Sequence, residues 1–388
     1  MRRLCSAALL LALLLAGCSA AETPALTPAP TPYIAVSPAP TPVLTPAPTP
    51  APTPVPTPCP HPAHDAETRR CAVCGEKVPH SYADGVCTRC GEAPVFETVC
   101  VPRELFEPCS ETGTVELLSY TTADYRSDDP ERRIEKQMAV YLPCGYDPAE
   151  KYDLLILMHG IGDSERYWLL EAQDYYYPQG DYVYTVSLLD RMMAEAACRK
   201  MIIAAPSFYR CSDEPGDYMR TPDQAAFTRE LREDILPELV GQYSTYAAAP
   251  TPEAVAAARE HFAYAGLSMG SIYAYTSVIP DCLDLFAWFG CFSGSDGDMP
   301  RLAEALNEEP LRAYTICYFY NSIGTADSFY SLHWNQYHDL VWRADCLTDG
   351  ENAAFTEFPG LDHVYAAWSL GLYNFLPLLF SDYDSPVR

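Results

Sequence analysis

Gly266-Leu267-Ser268-Met269-Gly270 decides how this chain is read, because of what stands on either side of it. Upstream, Phe262-Ala263-Tyr264-Ala265 is an apolar run of the length of a buried strand; downstream, Ser271-Ile272-Tyr273-Ala274-Tyr275 starts a helical pattern. A strand turning sharply into a helix needs glycine on both sides of the turn residue, since a Cβ there collides with neighbouring backbone. The Ser268 hydroxyl is then held at the strand tip above the helix amides, the arrangement of a nucleophile elbow. With only three fixed positions, the pentapeptide by itself also suits an ordinary turn.

Outward from the elbow, strands and helices alternate. Val115–Tyr120 and Lys136–Leu142 read as opening strands, and Leu154–Met158 and Met201–Ala205 as short central ones. Gln224 to Tyr243 carries helical apolar spacing through Phe227, Leu231, Ile235, Leu236 and Leu239. Thr251-Pro252-Glu253 is a cap with proline in the first turn of a short helix to Arg259. After the elbow come strands at Leu285–Phe292, Tyr314–Tyr320 and Ala354–Phe358, a helix near Ser331–Ala344 and a last helix near Tyr365–Phe380. Such alternation predicts an α/β fold, a mostly parallel sheet with helices on both faces. Its ligand site lies at the carboxyl ends of the strands, in the loops after Met158, Ala265, Phe292, Tyr320 and Phe358.

A serine hydroxyl is a weak nucleophile unless an imidazole takes its proton and a carboxylate holds that imidazole. Of the eight histidines, those before residue 100 sit among cysteines, and His261 opens the elbow strand at its wrong end. His333 and His338 fall in a helix and a loop, and His159 follows a strand where it shapes the oxyanion loop. His363, in Gly360-Leu361-Asp362-His363-Val364, is left as the base, in the chain order Ser, acid, His. Asp327 in Asn321-Ser322-Ile323-Gly324-Thr325-Ala326-Asp327 is the chosen acid. Asp296 and Asp298, one strand earlier, remain alternatives, while Asp362 adjoins the histidine and points elsewhere. The oxyanion needs two backbone donors, expected at Met269, just after the nucleophile, and at Ile161, in the loop after His159-Gly160.

Val140-Tyr141-Leu142-Pro143, Gly145-Tyr146-Asp147-Pro148, Leu157-Met158-His159-Gly160, the Gly266–Gly270 pentapeptide, Gly324-Thr325-Ala326-Asp327 and His363 with Trp368 together resemble the esterase branch of the α/β hydrolases. That branch includes carbohydrate esterase family one, the feruloyl and acetylxylan esterases. The resemblance covers about Gly113 to the carboxyl terminus. It implies an α/β-hydrolase fold, Ser268 as nucleophile, His363 as base, Asp327 as acid, and hydrolysis of acyl groups on plant polysaccharide. Two departures stand out: Ile161-Gly162 where relatives often run several glycines, and Ser271 where many have glycine.

The 388 residues carry 52 acidic and 25 basic side chains, a formal net charge of -27, which repels phosphate backbones and argues against nucleic-acid binding. Arg2 and Arg3 precede a short apolar stretch, Ala7 to Ala16, that ends in Leu15-Ala16-Gly17-Cys18. The ending resembles a bacterial lipobox and implies cleavage before Cys18, lipidation of its sulfur and tethering at the outer face of a membrane. A plain secretory signal cut near Ala20 or Ala21 is the alternative. From Thr23 to Pro58 repeated Ala-Pro-Thr-Pro favours extended polyproline II and reads as a disordered spacer.

Cys71-x-x-Cys74-Gly75 and Cys87-x-x-Cys90-Gly91 are two knuckles twelve residues apart, a spacing suited to tetrahedral thiolate coordination of a structural zinc ion. Cys59, His61, His64 and His80 lie beside them. A disulfide-stapled module is the alternative in an oxidising exterior. The module resembles zinc-ribbon repeats, which implies binding or spacing and not chemistry. Pairs such as Cys100 with Cys109 or Cys198 with Cys211 are further disulfide candidates. The expected order is therefore a signal at 1–17, a linker at 18–58, a cysteine module at 59–94, a connector at 95–112 and an esterase domain at 113–388. The activity expected is a serine esterase on feruloyl or acetyl groups of xylan-type polysaccharide, needing no cofactor for catalysis. A small-acyl esterase or thioesterase, and a non-catalytic carbohydrate-binding shell on the same scaffold, are the rival readings. The oligomeric state is not legible.

Overall fold

The computed structural model describes residues 101–171, 184–209 and 223–381, together with a short antiparallel ladder of Tyr82–Ala83 with Val86–Cys87. Cys18, the linker, Cys71, Cys74, Cys90 and their neighbouring histidines lie outside the described residues, and Cys87 is described in its backbone alone.

Eight strands form one sheet: β1 (Thr114–Ala123), β2 (Arg133–Leu142), β3 (Asp153–Met158), β4 (Met201–Ala205), β5 (Phe262–Leu267), β6 (Trp288–Phe292), β7 (Tyr318–Gly324) and β8 (Ala353–Phe358). In space their order is β8-β7-β6-β5-β3-β4-β2-β1. From β8 to β4 every neighbouring pair is parallel, and β2 alone runs against the rest. The fold class is thus the expected α/β arrangement.

The central strands are buried on both faces, which explains why they read as unbroken apolar runs instead of alternating ones. In β3, Leu154, Ile156 and Met158 join one core and Leu155 and Leu157 the other. Each such side chain contributes roughly 1.5–3 kcal/mol by leaving water. The first core is closed by α2 (Gln224–Glu230), which runs through a π turn at Leu231–Ile235 into α3 (Leu236–Gln242). The other is closed by α1 (Tyr184–Ala194) and α9 (Tyr365–Phe375). Between them in the chain come α4 (Pro252–Ala257), α5 (Met269–Tyr273), α6 (Ile279–Cys282), α7 (Met299–Asn307) and α8 (Tyr330–Arg343). Thr251 caps α4 as its sequence announces, its side chain accepting from Ala254 N. Among the described residues no helix is long and apolar enough to cross a membrane.

Several boundaries differ from expectation. The strand expected at Tyr314–Tyr320 is β7, which runs from Tyr318 to Gly324 and takes in polar residues assigned to the loop. Asn321 is fully buried there, its Oδ1 accepting from Tyr275 Oη and His333 Nε2 while its Nδ2 has no hydrogen-bond partner among the described residues. Strand β6 starts at Trp288, three residues later than expected, since Leu285 N closes a turn onto Cys282 O. The last helix stops at Phe375, and His338 lies inside α8, not in a loop. Helices α1 and α7 were not anticipated. Cys109 and Cys198 are free thiols among the described residues, while Cys100 and Cys211, their suggested partners, lie outside the described residues; Cys109 Sγ approaches Glu111 O at 3.1 Å.

Strand order reverses between β3 and β5: β4 is laid down on one side of β3, and β5 on the other. A crevice opens at the carboxyl ends of strands at such a switch point. Met158 and Gly266, near the tips of β3 and β5, are paired in register there.

Candidate active site

Ser268 is the residue on which β5 turns into α5, with φ 49° and ψ -113°. A non-glycine residue held at positive φ costs on the order of 1–3 kcal/mol, so neighbouring packing has to enforce it. The two flanking glycines show how. A Cβ on Gly266 would lie 2.6 Å from the backbone carbon of Gly270, and one on Gly270 would lie 2.7 Å from His159 O. Ser268 N donates to Phe292 O at 2.8 Å and Gly270 N to His159 O at 3.1 Å, pinning the elbow to both adjoining strands' loops.

The acid and the base arrive on the loops after β7 and β8. Thr325 N donates to Phe358 O, Ala326 N to Leu361 O, and Gly360 N to Thr325 Oγ1, so the two loops are laced together by their backbones. Gly324 packs so closely that a Cβ would sit 2.1 Å from Leu361 O. The result brings three side chains into line. His363 Nε2 lies 3.0 Å from Ser268 Oγ, and His363 Nδ1 lies 2.8 Å from Asp327 Oδ2. An ionised carboxylate accepts only, so Nδ1–H donates to it and Nε2 is left to accept the serine proton, the tautomer a general base needs.

Asp327 is buried, and its second oxygen accepts from Phe329 N at 2.9 Å. The His363 ring is boxed by Phe329 at 5.2 Å and, edge-on, by Trp368 at 5.1 Å. Asp362 accepts from the backbone N of His363 at 2.8 Å. Of the alternative acids, Asp296 is exposed and accepts from Gly297 N, and Asp298 caps α7 by accepting from Arg301 N. Neither is engaged with the His363 ring.

The loop after β3 borders the serine: a Cβ on Gly160 would be 3.3 Å from Ser268 Cβ and 3.1 Å from Asp163 Oδ2. Met269 is the first residue of α5, where an N–H has no partner within its own helix. Gly162 N is taken by Tyr209 Oη at 2.9 Å, which leaves Ile161 as the donor candidate of that loop. His159, expected to shape the loop, does so by donating from Nδ1 to Gly160 O at 2.7 Å while Nε2 meets Ser207 Oγ at 3.0 Å. Burial lowers its pKa to about 4, so the ring stays neutral.

Sequence reasoning missed the supports of this loop. Ser207 O accepts from Lys136 Nζ, which pairs with Glu230 at 2.8 Å, a buried ion pair reaching from β2 to α2. Trp168 Nε1 ties Met158 O at 2.9 Å. No motif announces these residues, because each is single and distant in sequence. Asp163 was also missed: burial, then Glu171, raises its carboxyl to about 7. A carboxyl kept largely neutral below that pH puts no negative charge beside a forming oxyanion.

No protein-family model matches the chain. Endo-1,4-beta-xylanase Y of Acetivibrio thermocellus is 30% identical over 219 residues, 54% of this chain and 18% of that protein. The chain therefore spans less than a fifth of the xylanase's length. The feruloyl esterase module from Clostridium thermocellum, solved with sinapinate, superposes with a TM-score of 0.61 at 25% identity, covering 74% of this chain and 95% of that one. The CE1 ferulic acid esterase of Anaeromyces mucronatus shares the fold with a TM-score of 0.53 at 22% identity, covering 73% and 97%.

Proposed function

We propose, for a chain whose large domain is an α/β hydrolase similar to the feruloyl esterases of carbohydrate esterase family one, that it is a serine esterase releasing feruloyl or acetyl groups from xylan-type polysaccharide. The observation that carries this reading is the line Ser268 Oγ, His363, Asp327 at 3.0 and 2.8 Å, standing at the strand ends where the sheet order reverses. In the reaction, Ser268 Oγ attacks the ester carbonyl carbon as His363 Nε2 takes its proton. Asp327 holds the imidazolium that forms. The amides of Met269 and Ile161 receive the negative oxygen, each such donor being worth on the order of 10²–10³ in rate. His363 then returns the proton to the departing sugar hydroxyl, and the same nitrogen activates the water that releases the acid from Ser268.

Hydrolysis of methyl ferulate and of acetylated xylan tests the reading. The wild type turns over at least one, and Ser268→Ala loses on the order of 10⁴–10⁶ in kcat. Activity confined to thioesters or small acyl esters would transfer the assignment to a small-acyl hydrolase, and inertness toward all esters would leave only a scaffold.

Around that domain we place three further features on sequence support alone. Cys71, Cys74, Cys87 and Cys90 hold a structural zinc ion that takes no part in catalysis. Cys18 is lipidated, and the Pro/Thr spacer holds the enzyme out from the external face of the membrane. Metal analysis finding no zinc in the purified chain would sink the first, and a mature amino terminus without a lipid on Cys18 the second.

A further inference from the structure

A second cleft, of about 650 Å³, lies between the start of α7 and the outer face of α8. Its size is within the range of about 300–1,000 Å³ that small-molecule sites occupy. Gly297 and Asp298 form one side, and Asn335, Gln336, Asp339 and Trp342 form the other. Trp342 is 79% exposed, far more than any other large apolar side chain in the described core domain, and the Arg343 guanidinium lies 5.2 Å from its ring centre. Nothing in the packing of α8 requires an indole there, since the helix buries His333, Tyr337 and Leu340 on its opposite side.

The polar groups narrow what the cleft takes. Asp298 Oδ1 accepts from Arg301 N, and Asp339 Oδ1 from Arg343 Nε at 2.8 Å, so each carboxylate already has a partner at its own helix. Anions are repelled by a chain of net charge -27. Gln336 donates from Nε2 to Gly297 O at 3.2 Å, while its Oε1 is buried without a partner among the described residues. An exposed indole beside the side-chain amides of Asn335 and Gln336 suits a neutral polyol: a sugar ring lays its C–H face on the indole and turns its hydroxyls to the amides.

The cleft is also joined to the triad through the protein. Gly297 lies on the loop after β6, three residues beyond Gly294, and a Cβ on Gly294 would sit 2.6 Å from Ser268 O. Gly294 N in turn donates to His333 Nδ1 of α8 at 3.1 Å. We propose that this cleft is a secondary glycan site that grips an unesterified stretch of the neutral polysaccharide whose ester enters the triad. The proposal rests on the polysaccharide reading above and extends it.

The test is calorimetric titration of the full chain with unsubstituted xylohexaose, beside methyl ferulate turnover of the same wild-type preparation. The wild type binds the oligosaccharide, Trp342→Ala weakens binding by about tenfold or more, and Trp342→Phe keeps part of it. Because Trp342 is so exposed, Trp342→Ala should melt with the wild type, and Asn335→Ala gives a second loss that spares the indole. Turnover of methyl ferulate with xylohexaose binding indifferent to Trp342, or absent, overturns the glycan site and leaves the esterase standing. Trp342-dependent binding without turnover of any ester overturns the esterase and leaves the site. A Trp342-dependent dimer in sedimentation, with no oligosaccharide binding, makes the surface a protein interface and overturns the proposal.

Discussion

Two imidazole–carboxylate pairs stand at opposite ends of the same sheet. At the carboxyl ends, His363 and Asp327 meet at 2.8 Å; at the amino ends, where β3 and β5 begin, His261 and Asp153 meet at 2.7 Å. By that bond alone the two are alike. What separates them is what lies on the other side of the ring. His363 Nε2 faces a hydroxyl held at positive φ. The His261 ring is instead stacked on Tyr246 at 3.6 Å, and Asp153 is shared with Arg199 at 3.2 Å. The first pair is poised to move a proton, and the second gives a hydrogen-bond partner to a carboxylate that β3 buries. A histidine–aspartate bond is therefore weak evidence of chemistry until the strand end and the third partner are known.

The sharpest way to break this contrast is Asp327→Asn. It reverses the hydrogen bond to Nδ1 and favours the wrong tautomer of His363, so kcat on methyl ferulate should fall about 10⁴-fold with the melting temperature little changed. A fall of tenfold or less would return Asp296 and Asp298 to contention.

The mirror experiment, His261→Ala, should leave turnover within about twofold. It removes one partner of a buried carboxylate and so should cost about 1–3 kcal/mol in denaturant unfolding. A hundredfold loss of activity from this variant would mean that the two ends of the sheet are coupled in a way the contrast denies.

A third imidazole, His333, sharpens the comparison by lacking a carboxylate partner. Its Nδ1 accepts from Gly294 N and its Nε2 donates to Asn321 Oδ1, and burial lowers its pKa to about 3. Between its ordinary value near 6.5 and that lowered value, the unfolded chain takes up a proton that the folded ring refuses. Its contribution to stability is therefore fully present above about pH 6.5 and lost as pH falls toward 3, at up to about 1.4 kcal/mol per pH unit. His333→Gln should be less stable at neutral pH yet show a shallower acid limb; an acid limb as steep as the wild type's would show that this ring does not carry the effect.

The parts of the site that were legible are those where one residue type in one local pattern has few other uses. Glycines flanking Ser268 are demanded by backbone clashes within five residues, and His363 was left by elimination among eight histidines in a loop of the right order. Asp327 was a choice among aspartates, and it took two interlaced loops to separate it from Asp296 and Asp298. Ser207, Lys136 and Glu230 carried no local signature, since a buried polar chain that joins β2 to α2 is visible only once those elements pack. Strand β7 was misplaced for a related reason: Asn321 and Ser322 look like loop residues until Tyr275 and His333 are seen to shelter the first of them.

The chain's order along its length determined a good deal unaided: an alternating strand and helix pattern, a serine between two glycines, and an acid and an imidazole following it in that sequence. Those are local properties, set by side-chain period and by the room a Cβ needs. Only the folded sheet decided that β5 would lie beside β3, that residues 268, 327 and 363 would meet within 3.0 Å of one another in turn, and that a second His–Asp pair would remain structural. The physical reason is that hydrogen bonding, burial and proton transfer depend on distance through space, and the chain settles those distances only when both faces of its sheet are covered.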